Sequence, residues 1–217
     1  VLAFSYWLQA PVIGSISSFN DRLQQLAPRE RVSSPVTIVE VDEASLKMFG
    51  QWPWPRDRLA ALLDAINAYA PAAIGLDFYM PEPDATSPDQ LAQRLAEDYP
   101  ELAAQLAALP NNDDTLAISL FSTPSVLGAA GFDFETMSTT KGLRVTPPTV
   151  NGGDAIAHVR QYPYVLASLP KLQSAAVGQA LLSVDLDDGV VRHVPLLGAI
   201  HQQTLVPALA LEMLRVG

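Results

Sequence analysis

Asp42 and Asp77 are the residues whose type and setting first suggest chemistry. Asp42 directly follows Val36–Val41, and Asp77 lies near the end of Ala73–Phe78; both runs are short and apolar, and the first is rich in β-branched side chains. Such runs read as buried strands. If the two strands are parallel neighbours, their carboxylates stand at the C-terminal ends, where open α/β sheets bind ligands. Glu43, Glu82 and Asp84 are close by in sequence. One reading is therefore a cluster of hard oxygen donors for Mg²⁺ or Ca²⁺. The other is that Asp42 and Asp77 cap helices and turns and pair with Arg56. Strand-end acids ahead of helices are common caps, and this second reading is favoured.

Trp52, Trp54 and Arg56 form a second candidate, in the run Gln51-Trp52-Pro53-Trp54-Pro55-Arg56. Prolines fix the directions of the two indoles, which could line an aromatic pocket for a small molecule. Tryptophan is usually well buried, so a rigid plug over the sheet, with Arg56 paired to an acid, is the preferred reading. Asp42, Asp77 and Glu82 are the candidate partners of Arg56, and Asp77 is expected to be the one.

Other chemistries lack support. His158, His193 and His201 have no metal-ligand spacing. Ser45 lies close to Asp42 but has no indicated histidine partner, and neither a Gly-x-Ser-x-Gly elbow nor a phosphate loop occurs. Asp187-Asp188-Gly189 reads as a turn rather than a calcium loop, which needs a longer liganding run. No cofactor and no resident metal are called for.

The elements that must position these residues follow from the pattern around them. Asp42 can cap a short helix over Glu43–Phe49, with Gly50 at the left-handed position after it. Leu59, Leu62, Leu63 and Ile66 fall on one face of a helix over Arg58–Tyr69, and Pro71 stops it. Strand, helix and strand at this spacing predict a right-handed parallel βαβ unit over residues 36–78.

Several blocks in this stretch and beyond it carry a family resemblance. They are Val39-Glu40-Val41-Asp42-Glu43-Ala44-Ser45-Leu46, Trp52-Pro53-Trp54-Pro55-Arg56, and Gly75-Leu76-Asp77-Phe78 with Glu82-Pro83-Asp84. Later come Val126-Leu127-Gly128, Asp187-Asp188-Gly189-Val190-Val191-Arg192 with Pro195-Leu196, and Pro207-Ala208-Leu209-Ala210-Leu211. In this order they resemble the CHASE domain of the second type, the cyclase- and histidine-kinase-associated extracellular sensory domain of bacteria. The Trp-Pro-Trp-Pro-Arg run is the most specific block. The resemblance implies a sensor module rather than an enzyme.

Composition bounds the rest. The chain has 217 residues, 49% hydrophobic, enough for a large core. Its 18 prolines exceed the usual ~5% and point to many fixed turns. A net charge of −10 argues against nucleic acid and against resting on anionic lipid. With no cysteine there are no disulfides and there is no thiol chemistry.

Val1–Asn20 is uncharged and largely apolar, but Gln9, Pro11 and several serines interrupt the ~18 apolar residues a span needs. It reads either as the outer end of a transmembrane helix or as a core-packing helix, and the chain as a piece of something longer. A helix over Ser15–Leu26 carries Ile16, Phe19, Leu23 and Leu26 on one stripe, expected to pack on the domain or on a second copy. The resemblance implies that residues 1–34 are a membrane-proximal helical segment and residues 35–217 an extracytoplasmic α/β domain.

Further on, Ser87-Pro88-Asp89-Gln90 reads as a helix start with a capping box, and Pro100 divides the following helix. Residues 111–122 are ambiguous: Leu116, Ile118 and Leu120 alternate as in a strand, yet Leu116, Leu120 and Phe121 fit a helix capped by Asn112 or Asp113. The family resemblance favours the helix, followed by a strand over Ser125–Gly131. Asp133–Tyr162 has no period, and such stretches are functional, mobile or a cover over the sheet. A short helix over Ser168–Ala176 precedes two apolar runs, Val177–Asp185 and Val190–Ala199, joined through Asp188-Gly189 as an antiparallel hairpin. Leu205–Val216 closes as a helix with Leu209, Met213 and Val216 among its buried side chains. The expected fold is α/β: a mixed sheet, parallel at its start and antiparallel near its end, with helices on both faces.

Two functions follow. The first is the signal-input domain of a bacterial membrane signalling protein such as an adenylate cyclase or sensor kinase. It would sit on the periplasmic face of the inner membrane as a homodimer, taking a small-molecule or protein signal. Flanking spans would link it to a cytoplasmic output domain of the same chain. The alternative is a metal-dependent hydrolase using Asp42, Asp77 and Glu82.

Overall fold

The computed structural model describes residues 19, 21–28, 33, 35–139, 142–184 and 190–217. They fall into two compact units, Val1–Met48 and Phe49–Gly217.

In the first unit residue 19 and residues 21–26 are helical, as the apolar stripe predicts, with Phe19, Leu23 and Leu26 exposed; Ile16 lies outside the described residues. Residues 36–41 are not a strand, which corrects the βαβ reading. Strand propensity expresses packing on a half-buried pleated surface rather than an intrinsic backbone preference. Here the run forms no strand among the described residues, and Val36, Ile38 and Val39 are exposed. α1 (Glu43–Phe49) then starts as expected. Asp42 Oδ1 accepts from the Ser45 amide at 2.8 Å and from the Ser45 hydroxyl at 2.7 Å, and Gly50 follows the helix with φ of +93°.

In the second unit α2 (Arg56–Asn67) buries Leu59, Ala60 and Leu63 and half-buries Leu62 and Ile66, the predicted stripe. β1 (Ile74–Leu76) is followed by α3 (Pro88–Leu95) and α4 (Pro100–Ala107), two helices divided where Pro100 requires it. α5 (Asn112–Phe121) leads into β2 (Ser125–Phe132). After a 3₁₀ turn at Ile156–His158 come β3 (Arg160–Tyr162), β4 (Tyr164–Leu166), α6 (Pro170–Ala175) and β5 (Gly178–Leu181). β6 (Leu197–Ile200), β7 (Thr204–Pro207) and α7 (Leu209–Val216) complete the chain.

β2 is the hub of the first sheet. β1 and β5 pair with it in parallel along its first half, and β4 pairs antiparallel with its end. The second sheet has β6 at its centre, parallel to β3 and antiparallel to β7. The fold is therefore α/β with mixed sheets. α7 packs on β1, β2 and β5, and glycines make the room: a Cβ on Gly75 would lie 2.5 Å from Met213 Sδ, and one on Gly178 would strike the Glu212 side chain. Leu209, Met213 and Val216 are half-buried there; the buried residue of α7 is Glu212, whose carboxylate takes a bidentate pair from Arg215 at 2.6 and 2.8 Å.

The antiparallel hairpin lies one element later than the sequence suggests. β5 pairs with β2, not with β6, and the hairpin is β6–β7. Its turn has the Gln203 amide donating to the Ile200 carbonyl at 3.1 Å, with His201 at φ 52° and Gln202 at φ 55°. Two left-handed central residues make a type I′ turn, usually signalled by Asn-Gly. The Asp188-Gly189 pair that suggested a hairpin lies outside the described residues. Ala129, Tyr162, Val165, Ala167, Leu181, Ile200 and Val206 form one buried cluster, against which Leu143 and Val145 pack.

Candidate functional site

The proline-bound tryptophan run folds into an aromatic lock. Trp54 is 6% exposed and its indole N–H donates to the Gly50 carbonyl at 2.8 Å. Edge-to-face contacts run from Phe49 to Trp54 (5.6 Å), Trp54 to Trp52 (5.9 Å) and Trp52 to Phe78 (5.2 Å). Such pairs add to area burial. Trp52 is 39% exposed. Arg58 donates to the Phe49 carbonyl, with its guanidinium 5.6 Å from that ring's centroid.

Arg56 opens α2 directly after this lock and turns inward. Its Nε faces Asp113 Oδ1 at 3.7 Å, with side chains 11% and 5% exposed. This corrects the expectation of an Arg56–Asp77 pair. At 3.7 Å the contact is Coulombic rather than a hydrogen bond, and neither atom has a hydrogen-bond partner among the described residues. Asp84 holds the same node together from the turn after β1. Its Oδ2 accepts from the Arg56 amide and from Asn112 Nδ2, both at 2.8 Å, and its Oδ1 accepts from the Thr86 amide and hydroxyl at 2.9 and 2.8 Å. The Asp84 amide donates to Asp113 Oδ2 at 3.1 Å, and the Ser87 hydroxyl accepts from the Asn112 amide at 3.0 Å. Ser87 is thus spent on α5 and closes no capping box on α3; Asn111 caps α5 by accepting from the Asp114 amide at 3.1 Å.

Burial sets the charges of this node apart. It pushes the Asp113 carboxyl up, against the Asp84 amide and Arg56, and pulls the Arg56 guanidinium down against both acids. Burial also pushes Asp84 up, but its hydrogen bonds from Arg56, Asn112 and Thr86 outweigh that and hold it below the ordinary carboxylate range. The signs of the pH dependence follow. Stability from Asp84 is complete above its unfolded pKa and is lost as pH falls through the lower folded value. Asp113 acts oppositely, and stability is lost as pH rises from its unfolded to its raised folded value. Urea titrations across the acid limb should therefore show a flatter profile for Asp84→Asn and a steeper one for Asp113→Asn. The same change for both variants would contradict these assignments.

The remaining candidates are dispersed. Asp42 caps α1 and has no strand before it. Asp77 follows β1 and is exposed, and Glu82 is exposed and accepts from the Ser138 hydroxyl at 3.3 Å. Among the described residues no group of three or more His, Cys, Asp or Glu side chains is placed to hold a metal ion.

A concave site does occur where the sequence is aperiodic. Ten residues between Leu143 and Ile156, with residues 203–205, line a half-open groove of about 600 Å³. Leu143 and Val145, which pack on the buried cluster, join the groove to the core, and Pro147, Pro148, Ile156 and Leu205 also line it. The sequence marks the stretch as aperiodic but gives no means of choosing these residues within it.

The CHASE2 domain family matches residues 1–217, the whole chain. No curated protein and no solved structure matches it. Among the described residues no helix is long and apolar enough to cross a membrane.

Proposed function

The chain belongs to the CHASE2 domain family, a family of sensory extracellular domains, and from that premise we propose that residues 1–217 are the signal-input domain of a bacterial membrane signalling protein. The domain sits on the periplasmic side of the inner membrane and passes its signal to a cyclase or kinase output domain of the same chain. The observation that carries the reading is the family match across the whole chain. Asp42 is a helix cap and Asp77 and Glu82 are exposed, while the buried acids Asp84 and Asp113 hold Arg56 and the starts of α2 and α5.

The reading is tested by location. Tyr69, in the turn after α2, is 88% exposed, and these 217 residues include no cysteine. A membrane-impermeant maleimide should therefore label Tyr69→Cys from outside intact spheroplasts. Protection until the cells are lysed would overturn the proposal.

A further inference from the structure

We propose that the groove between residues 143–156 and the start of β7 binds a short aliphatic peptide with both ends free. Three observations lead there. The lining is mainly aliphatic and proline side chains, and its inner residues Leu143 and Val145 are anchored on the core. One wall is set in advance, because Pro147 and Pro148 each have a fixed φ, which lowers the ordering cost of binding. Finally, Arg144 and Asp154 both line the groove, and neither has an ion-pair partner among the described residues.

The two charges select the class of ligand. A fatty acid would use only Arg144 and an alkylamine only Asp154, whereas a zwitterion with an apolar middle uses both. The groove has a volume of about 600 Å³. It lies within the ~300–1,000 Å³ usual for ligand sites. Arg144 would take the peptide carboxylate and Asp154 the ammonium group.

The groove stands apart from the lock and the buried node, and the assignment rests on the sensory reading only for its purpose. Tri-leucine, its N-acetylated form and its C-amidated form are the probes, titrated calorimetrically into the 217-residue chain. The unmodified peptide should bind best, and blocking either end should weaken binding about three- to tenfold. Arg144→Gln should weaken binding of the unmodified peptide by a similar factor and leave the C-amidated one unchanged. Asp154→Asn keeps an oxygen for the Ala157 amide it accepts from, and should spare only the N-acetylated peptide. No binding, or binding indifferent to the ends of the peptide, would overturn the assignment, as would octanoate binding as tightly as tri-leucine. Calorimetry reads the groove, and membrane location reads the sensory proposal, so the two fail separately.

Discussion

Truncating Trp54 to alanine is expected to destabilise the second unit by about 3–5 kcal/mol. The indole is 6% exposed, stacks edge-on against Phe49 and Trp52, and donates its N–H to the Gly50 carbonyl. Its removal leaves a cavity under the Trp-Pro-Trp-Pro run, an unpaired carbonyl, and a lock reduced to the Trp52–Phe78 contact. Trp52→Ala makes the contrast. That ring is 39% exposed, so its loss should cost about 1–2 kcal/mol. Urea unfolding of both variants, with unchanged dependence on denaturant, is the check. Equal losses would mean that Trp54 does not anchor the run.

Arg56→Met should cost a similar amount, about 3–5 kcal/mol, for a different reason. It strands Asp113, a carboxylate 5% exposed, which must then stay charged without its cation or take up a proton. Asp113→Asn strands the guanidinium instead but keeps an oxygen for the Asp84 amide. Burial disfavours the charged form of both partners. The pair is therefore not a large net source of stability, and breaking one side is worse than replacing both. The double variant should recover part of the loss, with a coupling energy above about 1 kcal/mol. Asp77→Asn should change stability by no more than about 0.5 kcal/mol and show no coupling to Arg56. Coupling to Asp77 in place of Asp113 would restore the pairing expected from sequence.

That pairing shows where the sequence stops being informative. The need of Arg56 for an acid is local and legible: a cation opens a helix right after two proline-bound tryptophans. Which acid answers is a tertiary fact. Asp113 lies 57 residues downstream in Asn111-Asn112-Asp113-Asp114, a run that reads wholly as a helix start. Only Asn111 caps α5, which leaves Asn112 and Asp113 to face Asp84 and Arg56. The face of α2 and the division at Pro100 were legible from their own periodicity and punctuation, whereas α5 and β2 were legible only through the family resemblance, because residues 111–122 fit a helix and a strand equally. Residues 36–41 have the composition of a strand but do not form one, and composition alone does not make one. The β6–β7 hairpin was hidden because its left-handed turn residues are His201 and Gln202, not Asn-Gly. The groove left no pattern because its lining comes from irregular chain and from the residues just after that turn.

The most direct measurement of the central claim is the accessibility of residue 69 across the inner membrane. Tyr69→Cys in the full-length protein, with any cysteine elsewhere in it replaced by serine, treated with an impermeant maleimide in intact spheroplasts and again after lysis, separates the two sides. The exposure of residue 69 makes slow labelling a matter of compartment rather than burial. A sensory domain outside the membrane predicts the same extent of labelling before and after lysis. Labelling that appears only after lysis would place the domain in the cytoplasm and contradict the account.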